Sequence, residues 1–124
     1  MIAGTVDGFG RALIPLAFRG EPDDPKTVVS VWIDTGFTGE MLLPRSLIDR
    51  MSLPRSSNVE ARLADGTVKS YDTYSAYVDW FGERREVEVI EGMGPFPLLG
   101  ARLMLGFRLE VNYSTLTVAI DRPA

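Results

Sequence analysis

The sequence predicts a single all-β domain with two short helical turns, spanning residues 1–124. Apolar and polar residues alternate with period two in several short segments, which is typical of half-buried strands. Turns containing glycine or proline separate these segments, and no internal repeat or linker interrupts the order. With 124 residues, of which 45% are hydrophobic, the chain can bury one core but not two.

The composition restricts the chemistry that the chain can perform. It contains no cysteine and no histidine. Disulfides, thiolate catalysis, serine–histidine triads and the commonest zinc sites are therefore excluded. Any hydrolysis must use carboxylates, lysines or hydroxyls, and we expect neither a metal nor a cofactor.

The charge and hydropathy patterns indicate the compartment and the class of partner. The formal net charge is -4, and the basic residues are scattered along the chain, which argues against a nucleic-acid partner. Pro15 interrupts the first apolar run, no basic segment precedes it, and no stretch is long enough to span a membrane. We therefore expect a cytoplasmic protein without a membrane partner.

The elements follow from periodicity and turn residues. Pro44 is expected at the first position of a helix whose core face carries Leu47, Ile48 and Met51. The apolar run 28–33 predicts a strand that is covered on both faces. Strands are predicted at 1–6, 11–18, 28–33, 41–43, 59–63, 68–80, 85–90, 98–100, 107–113 and 116–120, and helices at 44–51 and 101–105.

The most informative stretch is 31–39, in which an apolar strand runs directly into Asp34-Thr35-Gly36. A carboxylate at the end of such a strand is costly to bury unless a donor hydrogen-bonds it. Thr35 supplies a hydroxyl, and Gly36 and Gly39 allow backbone amides to approach closely. Asp and Gly also form ordinary tight turns, so the tripeptide alone is weak support for a catalytic site.

Three segments in a fixed order decide between these interpretations: 31–44, then 63–66 within a hairpin, then 97–100 before a short helix. With these segments the chain resembles the retropepsin-like aspartic proteases, and within them the small single-lobe branch of bacteria and archaea. The resemblance extends over nearly the whole chain. It implies a closed β-barrel with one or two short helices, in which a single lobe acts as a homodimer.

The resemblance also implies roles for individual residues. Asp34 is similar to the catalytic aspartate, of which a single-lobe chain has one, so a second subunit must complete the site. Thr35 is similar to the residue whose hydroxyl bonds across the dimer and locks the two catalytic loops, and Gly36 to the position where the backbone amide and the substrate meet the acid. Leu98, Leu99 and Gly100 are similar to the strand that supports the catalytic loop from behind. The residues implied to bind the peptide or protein substrate are Gly36, Phe37, Thr38 and the flap tip Ala64, Asp65 and Gly66.

Two positions depart from the viral members of this family. Phe37 occupies a position where the viral enzymes carry a small residue. Ala101 directly follows Gly100, where the viral enzymes place an arginine, and Arg102 comes one residue later. The departures concern the ion pairs that support the dimer interface and leave the catalytic turn intact.

Three functions are compatible with these residues. The first is a homodimeric aspartic endopeptidase in which two Asp34 carboxylates share a proton and activate water. The second is a catalytically silent module of the same fold that binds a peptide or forms a dimer, although such a role requires no acid at Asp34. The third is a metal site that combines Asp34 with Asp65 or Glu40, which the absence of histidine makes the weakest.

Two finer expectations concern geometry. The dipeptide Asp65-Gly66 predicts a two-residue turn whose central positions both need positive φ. The terminal strands 1–6 and 116–120 are apolar, which predicts exposed edges that pair with a second subunit.

Overall fold

The computed structural model describes residues 1–123, so the last residue of the predicted domain, Ala124, lies outside the described part. Ten strands and two short helices follow one another along the chain. They are β1 (Ile2–Val6), β2 (Ala12–Arg19), β3 (Thr27–Asp34), β4 (Met41–Pro44), α1 (Arg45–Arg50), β5 (Arg55–Arg62), β6 (Val68–Trp80), β7 (Glu83–Gly92), β8 (Leu98–Gly100), α2 (Ala101–Met104), β9 (Arg108–Asn112) and β10 (Thr117–Asp121).

The strands form one sheet that closes on itself. Their order is β5-β6-β7-β4-β8-β3-β2-β1-β10-β9, and an additional pairing of β6 with β2 closes six strands into a barrel. The closing pairs are Phe18 with Val78 and Arg19 with Tyr77. Two pairings inside the barrel are parallel, β3 with β8 and β4 with β7, and the others are antiparallel. The predicted closed all-β barrel is thus confirmed.

The core consists of the inward-facing residues of the strands, which occupy alternate positions along each strand, together with buried residues of the two helices. β2 shows the pattern most clearly, since every second residue from Ala12 to Phe18 is buried. Burial of these side chains from water is the main stabilising contribution to such a fold. The largest fully buried side chains are Phe18, Ile14, Met41, Leu43, Ile48, Leu99, Leu103 and Ile120.

The strand β3 corrects one expectation. Both of its faces were expected to be covered, but Val28 is 60% exposed and Trp32 is only partly buried. Val31 and Ile33 point into the core, while the alternate face, with Trp32 and Asp34, lies outside the packed interior. Within this apolar run, Val31 and Ile33 are buried in the core, whereas Val28 and Trp32 remain exposed or half-buried at the other positions of the strand.

The terminal strands are not edges of the sheet, which corrects the second expectation. β1 lies between β2 and β10, and β10 lies between β1 and β9. β10 thus has backbone partners on both sides, while β1 pairs with β10 at residues 2–5 and with β2 at Thr5 and Val6. In the described residues the edge strands are β5 and β9.

The helices are shorter than predicted. Pro44 ends β4 and is the N-cap of α1, with φ -68° and ψ 153°, rather than its first helical residue. Ile48 is buried, and Leu47 and Met51 pack partly against the core, as the helical spacing predicted. Among the described residues, no helix is long and apolar enough to cross a membrane.

Aromatic residues of the hairpin β6–β7 pack within the fold. Trp80 and Tyr74 are buried, as expected for sheet packing. Phe81 and Gly82 form the hairpin turn, both with positive φ (50° and 84°), which matches a two-residue type I′ turn. The ring of Phe81 stacks on Phe107 at 4.7 Å between centroids, which holds this strained residue in place.

Candidate active site

Asp34 is the last residue of β3, and the chain turns sharply after it. Its carboxylate accepts a hydrogen bond from the backbone amide of Gly36 at 2.9 Å, and its carbonyl accepts one from the amide of Phe37 at 3.1 Å. A Cβ atom at Gly36 would lie 3.2 Å from the Asp34 carboxylate, so a larger residue would crowd the acid. The turn thus fixes a half-buried carboxylate by a backbone donor and leaves it open to solvent.

The strand β8 supports this turn from the neighbouring position in the sheet. Asp34 is the register partner of Gly100 in the parallel pairing of β3 with β8. The amides of Gly100, Ala101 and Arg102 donate to the carbonyls of three turn residues, at 2.9, 2.8 and 3.2 Å. The acceptors are Glu40, Phe37 and Gly39 respectively. The end of β8 and the start of α2 therefore hold the turn through the backbone.

The ring of Phe37 folds back over two glycines. A Cβ atom at Gly39 would lie 2.6 Å from this ring, and one at Gly100 would lie 2.7 Å from it and collide with the Gly39 carbonyl oxygen. Gly100 therefore requires the absence of a side chain because the collision is with the backbone, whereas a side chain at Gly39 requires the ring of Phe37 to shift. Where the viral enzymes carry a small residue, this chain uses a half-buried phenylalanine to cover the back of the loop.

Glu40 is held away from Asp34. One carboxylate oxygen accepts from the amide of Glu88 at 3.0 Å, and the other lies 3.5 Å from a terminal nitrogen of Arg85. Its side chain is 15% exposed. Glu40 links the turn to β7, and this contact was not predicted from the sequence.

The hairpin β5–β6, which we call the flap, projects from the barrel, and its tip residues 63–67 are all exposed. The Leu63 carbonyl accepts from the amide of Gly66 at 2.9 Å, and the Leu63 amide donates to Thr67 at 2.8 Å. Ala64 and Asp65 are therefore the central residues of the turn, and only Gly66 has positive φ, at 87°. The prediction of a two-residue Asp65-Gly66 turn is wrong. A four-residue turn followed by a glycine bulge replaces it.

The carboxylate of Asp65 stabilises this tip. It accepts from the hydroxyl of Thr67 at 2.7 Å and from its amide at 2.9 Å. The hydroxyl is the largest cause that lowers the pKa of Asp65 below its ordinary value, followed by the amide. Both donors bind the same oxygen of the carboxylate, so Asp65 acts locally as a turn residue.

Two cavities lie between the flap and the turn. One of about 370 Å³ is bordered by Phe37, Ala61, Tyr71 and Ile90 and is mainly apolar. The other, of about 460 Å³, also borders Phe37 and extends along Thr38 and Val59 to Arg102. Phe37 therefore borders both cavities beneath the flap.

The structure brings only part of the predicted site together. Asp34, Gly36, Phe37, Leu99 and Gly100 form one connected unit through the turn and β8. The hydroxyls of Thr35 and Thr38 are exposed and make no hydrogen bond within residues 1–123.

The flap tip does not line either cavity. The flap residues that do so include Val59, Ala61 and Tyr71. Their alternation along β5 carried the signal, because Val59 and Ala61 are the partly buried positions of an otherwise exposed strand.

A metal site at this place has no structural support within residues 1–123. Glu40 accepts from the amide of Glu88 in β7, and Asp65 accepts from Thr67 within the flap tip. No group of three or more acidic side chains that could hold an ion occurs in this part of the chain. The interpretation that combined them with Asp34 is not supported.

Comparison with known proteins identifies the fold. The crystal structure of a retropepsin-like aspartic protease from Rickettsia conorii superposes with a TM-score of 0.68, covering 98% of this chain and 89% of that one. This protein has the retropepsin-like fold. The two sequences are 15% identical, so the likeness concerns the fold. No protein-family model and no curated protein matches the sequence.

In this retropepsin-like fold, the residues that follow Gly100 hold the Asp34 turn through their backbone. Ala101 has no side chain that could form an ion pair, and the side chain of Arg102 is exposed and makes no ion pair within residues 1–123. The backbone amides of both residues bind the turn instead. The turn is therefore fixed within this chain by backbone hydrogen bonds, with no ion pair from either residue in the described part of the chain.

Proposed function

We propose that this protein is an aspartic endopeptidase whose active site contains Asp34 from each subunit of a homodimer. The observation that carries the proposal is the state of Asp34. It is half-buried, is fixed by the amide of Gly36 at the end of β3, and still faces solvent. A carboxylate held in this way is oriented for chemistry and is not consumed by an internal ion pair.

The homodimer follows from the number of acids. Each chain supplies one Asp34, and peptide hydrolysis by carboxylates requires a base and an acid. Glu40 is not available as the second group in the same chain, because Glu88 and Arg85 of β7 hold its carboxylate, and Asp65 lies at the exposed flap tip, where Thr67 binds it. Thr35 is exposed next to Asp34 with its hydroxyl unbound in the described residues, which makes it available to a second subunit.

The chemistry requires only the two carboxylates and a water. When two carboxylates lie close together, both do not easily ionise, so they share one proton. The ionised group takes a proton from water as it attacks the peptide carbonyl, and the protonated group donates to the carbonyl oxygen. The protonated and ionised roles belong to the pair rather than to either subunit.

The substrate is an extended peptide or protein segment lying between the turn and the flap. The two cavities beside Phe37 offer space for side chains on either side of its ring. The apolar border at Ala61, Tyr71 and Ile90 favours an apolar side chain in one of them. Closing the flap over a bound peptide would exclude water from the reacting carbonyl.

A peptidase assay with Asp34→Asn as the control tests the proposal. Purified protein is incubated with a mixture of capped decapeptides from acid to neutral pH, and products are identified by mass spectrometry. We expect internal cleavage by the unaltered protein and none by Asp34→Asn. Peptide binding without cleavage by both proteins would instead assign the fold to a silent binding module.

A further inference from the structure

Four side chains form a cluster beside the turn that the active-site chemistry does not use. The guanidinium of Arg11 lies 4.3 Å from the ring centroid of Phe96, 5.0 Å from that of Phe9 and 5.8 Å from that of Trp32. Trp32 and Phe96 meet edge-on at 5.9 Å. We call this group the Arg11 cluster. Three aromatic rings thus surround one cation, an arrangement that stabilises the charge and restricts the side chain.

The Arg11 cluster lies on the same face of the sheet as Asp34. Side chains two residues apart on a strand point to the same face, so Trp32 and Asp34 share a face of β3 about 7 Å apart along the strand. Leu13 is the register partner of Trp32, and continuing this antiparallel register by two residues brings Arg11, just before β2, opposite Asp34. The cluster therefore lies on the face of the sheet that carries the acid.

The hydrogen bonds of Arg11 involve only one side of its guanidinium. Its Nε donates to the carboxylate of Asp7 at 2.7 Å. Neither terminal nitrogen donates a hydrogen bond within residues 1–123. The side chain is 21% exposed, so part of it reaches solvent beside the three aromatic rings. The terminal edge, formed by the two terminal nitrogens, carries parallel N–H donors in the geometry that matches a carboxylate.

A purely structural role explains only part of these contacts. The ion pair with Asp7 fixes the turn between β1 and β2, and stacking on Phe96 joins that turn to the segment before β8. Neither contact uses the two terminal nitrogens of the Arg11 guanidinium. Neither contact explains why the side chain of Phe9 is 87% exposed and that of Phe96 is 42% exposed. Large aromatic groups left in solvent beside a cation are typical of a binding surface.

We propose that the Arg11 cluster is a subsite that binds a carboxylate carried by the bound peptide. The carboxylate is either an acidic side chain or the end of the peptide chain, and it pairs with the terminal edge of Arg11 between the rings of Phe9 and Phe96. The inference rests on the proposed function, since it assumes a peptide beside Asp34. Asp7 already neutralises part of the guanidinium charge, which favours a singly charged carboxylate over a doubly charged phosphate.

The test measures binding to the Asp34→Asn protein, so that cleavage does not interfere. The probes are capped decapeptides in which Glu or Gln occupies each position in turn and the other positions are mixtures. A second pair differs only in a free or amidated C-terminus. We expect Glu at one or two positions, or the free terminus, to bind about fivefold tighter than its neutral twin, less so at high salt.

Matched variants assign the effect to the Arg11 cluster. Arg11→Met should abolish the preference, and Arg11→Lys should retain part of it, because lysine keeps the charge but not the two-donor edge. Arg108→Met removes the same charge from the exposed edge strand β9 and should leave the preference unchanged. Circular dichroism of the variants shows whether the β1–β2 turn is retained. The comparison of acidic and neutral peptides on the protein that retains Arg11 needs no such check, because the protein is the same in both measurements.

The outcomes separate this inference from the proposed function. Equal binding of every acidic and neutral twin, or no binding of any peptide, overturns the inference. A change in the monomer–dimer equilibrium of Arg11→Met without any peptide preference also overturns it, since Arg11 would then contact the other subunit. Cleavage without a preference for acidic peptides supports the proposed peptidase and overturns the subsite. A preference for acidic peptides without cleavage by the unaltered protein supports the subsite and overturns the peptidase.

Discussion

Asp34 and Gly100 are direct register partners in the parallel pairing of β3 with β8. The position opposite the acid must be glycine, because a Cβ atom at Gly100 would collide with the carbonyl oxygen of Gly39 and press on the ring of Phe37. The supporting strand and the turn therefore fit together only without a side chain at this point.

The first prediction is that Gly100→Ala displaces the turn. Because the clash involves backbone atoms, relaxation is limited, and we expect a loss of about 1–3 kcal/mol in the free energy of unfolding. Peptidase activity should fall more than stability, since Asp34 moves with the turn. Denaturant unfolding and turnover measure the two effects. Gly94→Ala is the control, because a Cβ atom there meets no atom within 4 Å. Equal behaviour of the two variants would contradict the close fit.

The sequence was sufficient to predict the parts of the site that are local in the chain. The turn after β3, the hairpin 63–67 and the strand before α2 each carry their own residue pattern, and their order indicated the retropepsin-like fold. Strand positions were also close, because period-two alternation is a local property of the sequence.

The features that the sequence could not predict depend on how segments far apart in the chain are paired. The Arg11 cluster joins residues from β3 and from two loops, and no periodicity relates Phe9 to Phe96. The expected exposed edges at β1 and β10 were wrong for a similar reason, since these two strands lie at opposite ends of the chain and pair with each other. The type of turn at Asp65 depends on a single hydrogen bond, which the amide of Gly66 donates to the carbonyl of Leu63.

The second prediction concerns Gly66 at the flap tip. Its φ of 87° is unfavourable for any other residue, and a Cβ atom there meets no neighbour, so only the backbone is strained. We expect Gly66→Val to reduce turnover severalfold while the melting temperature changes little, because the tip is exposed and distant from the core. Gly94→Val is the control for added bulk at an exposed glycine. A large fall in melting temperature for Gly66→Val would show that the tip supports the barrel.

The third prediction concerns the protonation of Asp65. The Thr67 hydroxyl and amide lower the pKa of this carboxyl, so the folded state binds its proton less readily than the unfolded chain. Its stabilising contribution is therefore complete above the ordinary value of 3.8 and is lost as pH falls through the lower folded pKa. NMR titration of the side-chain carbon measures this value. Thr67→Val should raise it toward 3.8, and Thr115→Val should leave it unchanged. An unchanged value in Thr67→Val would contradict the role of the hydroxyl.

The fourth prediction concerns the pH dependence of activity. If two Asp34 carboxylates share one proton, the pair loses its acid when that proton leaves, so turnover should decline as pH rises toward neutrality. The charge of -4 on each chain adds a repulsion between subunits near neutral pH, which salt screens. Turnover measured from acid to alkaline pH at low and high salt tests both effects. A rate that climbs steadily toward alkaline pH would contradict the shared proton.

The fifth prediction follows from the single Asp34 in each chain. When Asp34→Asn protein is mixed with unaltered protein and subunits exchange, three kinds of dimer form. Only the fully unaltered dimer keeps two carboxylates that share a proton, because asparagine supplies neither the base nor the acid. At equal amounts and random exchange, about one dimer in four should be active under symmetric assembly.

The measurement for this fifth prediction keeps the unaltered protein fixed and adds increasing Asp34→Asn protein. Asparagine nearly matches aspartate in shape, and the Gly36 amide that binds the Asp34 carboxylate at 2.9 Å can donate equally to the oxygen of an amide. Mixed dimers should therefore assemble without a steric penalty, and turnover should fall as the variant is added. Exchange is verified independently by mass spectrometry of an isotope-labelled partner. Constant turnover despite complete exchange would mean that each chain hydrolyses peptides alone, and the two-subunit site would be wrong.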